Sequence, residues 1–268
     1  MNGRKRLNYV IQKIIKICKI INKVIYYSQY KQDKFVDKFF NKKNGGFFID
    51  IGAHDGVTFS NTYFLEKERQ WDGICIEPIP DVFDKLKQNR QSININSCIT
   101  QKSGAITFRR VYGYNEMLSG ILDLMDREHV EQIENDCIQT GDIYKDILIE
   151  GRNINEILNE FKVKRIDFLS IDTEGAEYEI IKTIDFNKVK ISFLSIENNK
   201  DSIQIREMLK GKGYKCISSV NDDFYLKTGR SILLFKLSVK LNYIMFIFNN
   251  SNYSKLSKIK LFIKIFFS

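Results

Sequence analysis

The run Gly45-Gly46-Phe47-Phe48-Ile49-Asp50-Ile51-Gly52-Ala53-His54-Asp55-Gly56 limits the fold more than any other segment of the chain. Its apolar stretch, Phe47 to Ile51, reads as a buried strand, and the glycines that follow require a tight turn at its end. A helix is predicted through SNTYFLEKE, starting near Ser60 or Asn61. A second apolar strand, Ile74-Cys75-Ile76, stops at Glu77 and is followed by Pro78. Strand, glycine turn, helix and an acid at the tip of the next strand make a nucleotide-binding unit, in which the acid accepts hydrogen bonds from ribose hydroxyls.

The chemistry of the loop narrows the ligand. A dinucleotide site uses GxGxxG so that backbone can approach a pyrophosphate, whereas this loop carries Asp55 and begins beside Asp50. Acids repel phosphate. They suit S-adenosylmethionine, which has ribose, an ammonium and a sulfonium but no phosphate, so this donor is the expected cofactor.

Further along, INSCIT and AITFRR read as strands around Gly104, and IDFLSID is an apolar run ending in the acidic group Asp172-Thr173-Glu174-Gly175-Ala176-Glu177. A helix is predicted from about Ala176 to Ile184. ISFLSIENN then brings Glu197, Asn198 and Asn199 to another strand tip. GYKCISS and DFYLK read as two strands joined by a turn at Asn221, Asp222 and Asp223. Strands alternating with helices and closed by such a pair predict a doubly wound, Rossmann-like α/β fold: a mostly parallel sheet with an antiparallel C-terminal hairpin. Ligands of such sheets sit at the carboxyl ends of the strands, where these acids fall. LDLMDREHVEQIEN, with His129, reads as a helix forming a solvated face or lid.

Charge excludes one class of partner. Of the chain's 42 basic residues, seven lie in residues 1–25 and six in 231–268, with no acid in either segment. The middle, 26–230, has 29 basic against 33 acidic residues, so a nucleic-acid groove across the core is not expected. The chain divides accordingly into a basic N-terminal segment (1–25), a core domain (26–230) and a basic, apolar C-terminal extension (231–268). The apolar stripe from Leu7 to Ile25, interleaved with Lys13, Lys16, Lys19 and Lys23, has helical spacing. Lysines interrupt every candidate leader core, so no signal peptide is expected. Ile232 to Phe248 is 17 residues long and carries Lys236 and Lys240, against the roughly 20 apolar residues that a membrane span takes. Both ends therefore suit a cytoplasmic protein in peripheral contact with an anionic membrane, or else helices packed on the core or on a second subunit. Five widely spaced cysteines support neither a disulfide framework nor a zinc site, and with no HxxxH-type spacing no metal is expected.

Together SQYKQDKFV, GGFFIDIGAHDGVTFSNTYFLE, GICIEP, LSGI, IDFLSIDTEGAEYEII and SIENN resemble the FkbM-type methyltransferases over roughly residues 26 to 228. These are class I enzymes dependent on S-adenosylmethionine, many of which methylate hydroxyls of sugars and glycosylated metabolites. The resemblance implies a seven-stranded sheet and a sugar or glycoconjugate acceptor. It implies cofactor contacts at Asp50, Gly52, Ala53, His54, Glu77, Pro78, the backbone near Ile99, and Asp172, with Gln29 and Asp33 closing over the cofactor from outside the sheet. Asp172 and Glu174 would face the methyl group, and Glu197 and Asn199 would complete the acceptor pocket. Many members carry Lys where this chain has Ser170, so no catalytic role passes to that position.

A hydroxyl must lose its proton as it attacks, and a general base contributes about 10²- to 10⁴-fold. Asp172, Glu174 and His54 are the candidates. His54 is read first as a residue that hydrogen-bonds backbone, and Glu174 and Asp172 have simpler roles open to them as helix cap and loop anchor. A nicotinamide-dependent oxidoreductase would use the same Glu77 but lacks its phosphate loop here. A catalytically silent, membrane-tethered binding module is the other alternative.

Overall fold

The structure, a computed structural model, describes residues 24–198, 203–220 and 222–228. The N-terminal stripe before Val24, the C-terminal extension and Asn199 lie outside the described residues. Along the chain come α1 (Gln32–Phe39), β1 (Phe47–Ile51), α2 (Tyr63–Arg69), β2 (Asp72–Ile76), α3 (Pro80–Asn89), β3 (Ile93–Ile95), β4 (Cys98–Ile99), β5 (Gly104–Tyr112) and β6 (Gly120–Ile121). There follow α4 (Arg127–Thr140), β7 (Ile143–Arg152), α5 (Ile154–Glu160), β8 (Arg165–Ile171), α6 (Glu177–Thr183), β9 (Lys190–Glu197), α7 (Ile203–Gly211), β10 (Tyr214–Val220) and β11 (Asp222–Lys227).

Seven strands form the main sheet in the order β10-β11-β9-β8-β1-β2-β3. The five from β9 to β3 run parallel; β11 pairs antiparallel with β9, and β10 antiparallel with β11 at the edge. This is the doubly wound sheet with a C-terminal hairpin. The alternation of β1 divides its side chains between two cores. Ile49 and Ile51 pack with Ile74, Ile76, Leu169, Ile171, Leu194 and Ile196 on one face, under α5, α6 and α7. Phe48 packs with Cys75, Phe168, Phe193 and Phe224 on the other, under α1 and α2. Both faces being covered, these strands read as nearly continuous apolar runs. From β1 the chain winds out to β2 and β3, then returns to β8 on the other side, so the strand order reverses between β1 and β8. A crevice opens there, as it does at such reversals generally.

Three local expectations are corrected. The INSCIT and AITFRR strands do not all join the main sheet: β4 and β5 belong to a second, four-stranded sheet, β4-β7-β5-β6. Its long partner β7 buries only Ile149 and Gly151 and so offers little apolar contrast; Arg109 on β5 pairs with Asp146 on β7 at 2.8 Å. The helix expected from Ser60 begins at Tyr63, with the Ser60 hydroxyl accepting the Tyr63 N–H at 3.0 Å. Asp222 and Asp223, expected in a turn, are strand residues paired with Glu197 and Ile196.

Candidate active site

The crevice holds a cavity of about 380 Å³, walled by the ends of β1, β2, β8 and β9 and by the insertion that carries the second sheet. Gly52 makes this junction possible. Its φ of +85° suits glycine, and a Cβ there would stand 1.7 Å from the carbonyl oxygen of Asp172. The tips of three neighbouring strands are thus laced together: Gly52 and Ala53 donate N–H to the Ile76 carbonyl at 3.0 Å, and Asp172 donates to that of Ile51 at 3.0 Å.

Glu77 fixes the next turn. One carboxylate oxygen accepts the His54 N–H and the other the Ile79 N–H, each at 2.9 Å. Burial raises its pKa to about 7 against the lowering effect of these bonds and of Arg110. Pro78 and Ile99 line the cavity beside it. His54 sits at φ +51° and turns its ring across the crevice, placing Nε2 3.0 Å from the Glu116 carboxylate.

Asp50 is 3% exposed and lies beneath the loop, accepting the Thr62 hydroxyl at 2.6 Å. Burial raises its pKa; the buried guanidinium of Arg90 and hydrogen bonds from Thr62 and Ser170 oppose this. Its carboxylate is a strut for the loop as well as part of the cavity wall.

At the opposite end three carboxylates converge. Asp172, Glu174 and Glu197 offer oxygens that all lie within 4.8 Å of one another. Asp172 is open to the crevice yet surrounded by protein atoms. Burial raises its pKa well above the carboxylate range, and repulsion from Glu197, Glu174 and Asp222 adds to this; it also shares a hydrogen bond with Glu197. Glu174 rises through burial and the same repulsion, from Glu197 and Glu177. Like charges held this close cannot all ionise in the neutral range, so the group titrates as a unit that holds protons. The spacing also suits a hard divalent cation, and no HxxxH-type pattern would disclose it.

Glu177 builds the loop between these acids. It accepts N–H bonds from Thr173 at 2.9 Å and Gly175 at 3.1 Å, holding Glu174 at φ +53°. Glu174 is therefore not the cap of α6: the N-cap is Ala176, with no side-chain capping bond, and Glu177 in the first turn holds the loop before the helix instead. Asp222 faces the cavity, accepting from Gln32 Nε2 at 2.8 Å and from the Ser195 hydroxyl at 3.0 Å. Sequence reasoning gave no role to Glu177, Gln32, Glu116 or Asp222; the contacts of Gln32, Glu116 and Asp222 span up to 190 residues, whereas those of Glu177 are to loop groups two to four residues before it.

Gln29 lies in the cavity wall. Asp33 does not: it is fully buried and its carboxylate accepts from the Tyr27 and Ser28 backbone and the Ser28 hydroxyl, at 2.6 to 3.2 Å. Its expected contact with the cofactor is corrected to that of an anchor for the segment bearing Gln29.

Three buried polar atoms of the wall have no hydrogen-bond partner among the described residues: Ser97 Oγ, Asn61 Oδ1 and His54 Nδ1, the last 3.7 Å from the Asp55 carboxylate. Each such atom costs about 1 to 3 kcal/mol unless a ligand or water satisfies it. A polar, ribose-bearing ligand with positive charge fits this donor set: unmet hydrogen-bonding atoms near the glycine loop, and acids around it.

A family model described as "Methyltransferase FkbM domain" matches residues 50–216, more than half of the chain. No curated protein matches it. Among solved structures, it is similar to a precorrin-6y C5,15-methyltransferase from Geobacter metallireducens (13% identity, 76% of this chain and 89% of that one, TM-score 0.36). It is also similar to a methyltransferase from Pyrococcus furiosus (12%, 84% and 99%, TM-score 0.36) and to a protein of the NADB-Rossmann superfamily from Streptococcus agalactiae (11%, 91% and 94%, TM-score 0.38).

Proposed function

The chain belongs to the FkbM methyltransferase family, with S-adenosylmethionine as its methyl donor, and from that premise we propose that it methylates a hydroxyl of a sugar or glycoconjugate. The observation that carries the proposal is the carboxylate cluster of Asp172, Glu174 and Glu197, which supplies proton acceptors at one end of the cavity. The oxidoreductase alternative has no support from the family.

Bound S-adenosylmethionine supplies a methyl carbon on a positively charged sulfur, so that a C–O bond forms as the C–S electron pair returns to sulfur. In this reading Glu77 accepts the ribose hydroxyls while holding the backbone of His54 and Ile79. Gly52 and Ala53 shape the turn, and Gln29 and Pro78 line the cavity. Asp172 and Glu174 orient the acceptor hydroxyl and take its proton, and Glu197 shares protons with them. Alignment of this kind supplies up to about 7 to 11 kcal/mol. The basic, apolar ends of the chain would bring this site to a membrane surface.

Labelled-methyl transfer to a panel of sugars, nucleotide sugars and glycans, with Asp172→Asn and Glu174→Gln beside the unaltered protein, tests the proposal. At least one variant is expected to lose about two orders of magnitude in turnover while keeping its cofactor affinity. Near-normal turnover in both would remove the cluster as base. EDTA is expected to leave transfer intact; a loss restored by Mg²⁺ would assign activation of the hydroxyl to a cation held by the same three acids.

A further inference from the structure

Beside the cavity lies a second hollow, an open groove of about 550 Å³ between α1 and the β10–β11 hairpin. The two adjoin, because Gln29, Tyr30, Gln32 and Asp222 wall both of them. Their linings differ in sign. The cavity gathers several carboxylates, whereas the groove has one, the shared Asp222, already bonded to Gln32 and Ser195, against three lysines, Lys31, Lys34 and Lys38.

Two of the lysines are aligned by the helix. Lys34 and Lys38, four residues apart, share one face of α1, and Lys31, the N-cap residue at φ +68°, borders the same groove. The intervening acids of α1 turn to the protein: Asp33 holds the backbone at Tyr27 and Ser28, and Asp37 pairs with Arg69 at 2.6 Å and accepts the Tyr26 hydroxyl at 2.9 Å. Among the described residues none of the three lysines has a carboxylate partner; the Lys34 ammonium stands 5.8 Å from the centre of the Tyr26 ring. Phe35 and Phe224, with ring centres 5.0 Å apart, give the groove an apolar floor suited to the face of a sugar ring.

We propose that this groove is an anion subsite of the acceptor, and that the sugar methylated here carries a phosphate or diphosphate. The proposal rests on the methyltransfer reading above. Lys31, Lys34 and Lys38 hold the phosphoryl oxygens, and the carboxylate cluster repels them. An acceptor charged at one end and bearing neutral hydroxyls at the other can then settle in only one direction, with a hydroxyl toward Asp172 and Glu174. The groove fixes which end of the acceptor reacts.

Calorimetric titration of the full chain with pyrophosphate tests this, comparing it with K31A/K34A/K38A and with K31R/K34R/K38R. The alanine variant is expected to bind pyrophosphate at least about tenfold more weakly and the arginine variant to bind it like the unaltered chain, with S-adenosylmethionine affinity the same in all three. Equal pyrophosphate binding by the alanine variant, or none by the unaltered chain, would overturn the subsite. In transfer assays a sugar 1-phosphate, a nucleoside-diphosphate sugar and a lipid-diphosphate sugar separate the sources of the phosphate, with a neutral methyl glycoside as control. Lysine-dependent pyrophosphate binding without methylation of any sugar would sustain the subsite and sink the methyltransfer reading; methylation of the neutral glycoside as readily as the phosphorylated sugars would do the reverse.

Discussion

Glu77 does two jobs with one carboxylate. Because it accepts the backbone N–H groups of His54 and Ile79, removing it disturbs the loop as well as the ribose contact. Glu77→Ala is expected to weaken S-adenosylmethionine binding about tenfold to a hundredfold, the worth of a charge-assisted hydrogen bond, and also to lower the melting temperature. Glu77→Gln, which keeps acceptor capacity on one atom, should fall between. Calorimetry and a thermal melt on each variant check both effects; full affinity in Glu77→Ala would take Glu77 out of the site. The raised carboxylates set a second expectation. A base must be ionised to act, so with the acids of the cluster raised above the ordinary carboxylate range, turnover should climb with pH through the neutral range as they release their protons. A rate that is already flat at pH 5 would mean that neither acid is the base.

At the scale of elements, the turn between β8 and α6 is the working part. Glu177, in the first turn of α6, holds the Thr173 and Gly175 N–H groups and thereby the geometry of Asp172 and Glu174. Glu177→Ala is expected to cut turnover by about tenfold to a hundredfold, since small displacements of reacting groups are costly, with cofactor affinity nearly unchanged. An equal fall in both would show that Glu177 serves the cofactor instead. Elements of this kind were unevenly legible in the sequence. The β1 turn, Glu77 and the acidic loop after β8 are local patterns, each carried by fewer than a dozen consecutive residues, and they could be read directly. Glu177 stood in that same pattern, but its partners are backbone groups that no spacing reveals. Asp222 read as a turn residue because acids favour turns; pairing with β9 overrides that preference. The second sheet stayed hidden because β7 buries few of its residues, leaving little apolar contrast to read.

Across the whole molecule, the buried acids make stability depend on pH in two windows. Glu77, Asp172 and Glu174 have folded pKa values above their unfolded ones. Their stabilising effect is complete below the unfolded value of about 4 and is lost as pH rises through the folded values. For Glu77 alone the shift corresponds to on the order of 3 kcal/mol. Asp55 and Glu66, whose pKa values are lowered, act oppositely and matter only as pH falls through the acid range. The ligand-free protein is therefore expected to lose melting temperature from pH 5 to pH 8, and Glu174→Gln should flatten that slope; a melting temperature that rises over this range would contradict it. The charge balance acts at the same scale. With 13 basic residues and no acid in residues 1–25 and 231–268, and about 1 kcal/mol for each basic side chain near an anionic surface, the full chain should sediment with phosphatidylserine vesicles at low salt and residues 26–230 alone should not. Among the described residues no helix is long and apolar enough to cross a membrane. Equal sedimentation of the two would assign the ends to packing or oligomerisation.

The most direct measurement is the position of the transferred methyl group. With S-adenosylmethionine labelled by ¹³C in its methyl group and an accepted sugar from the panel, ¹³C NMR of the isolated product should show a single methyl ether on a ring or side-chain oxygen, formed in step with S-adenosylhomocysteine. Label on nitrogen, sulfur or carbon, or donor that binds without ever releasing its methyl group, would contradict the assignment of sugar hydroxyl methylation to this site.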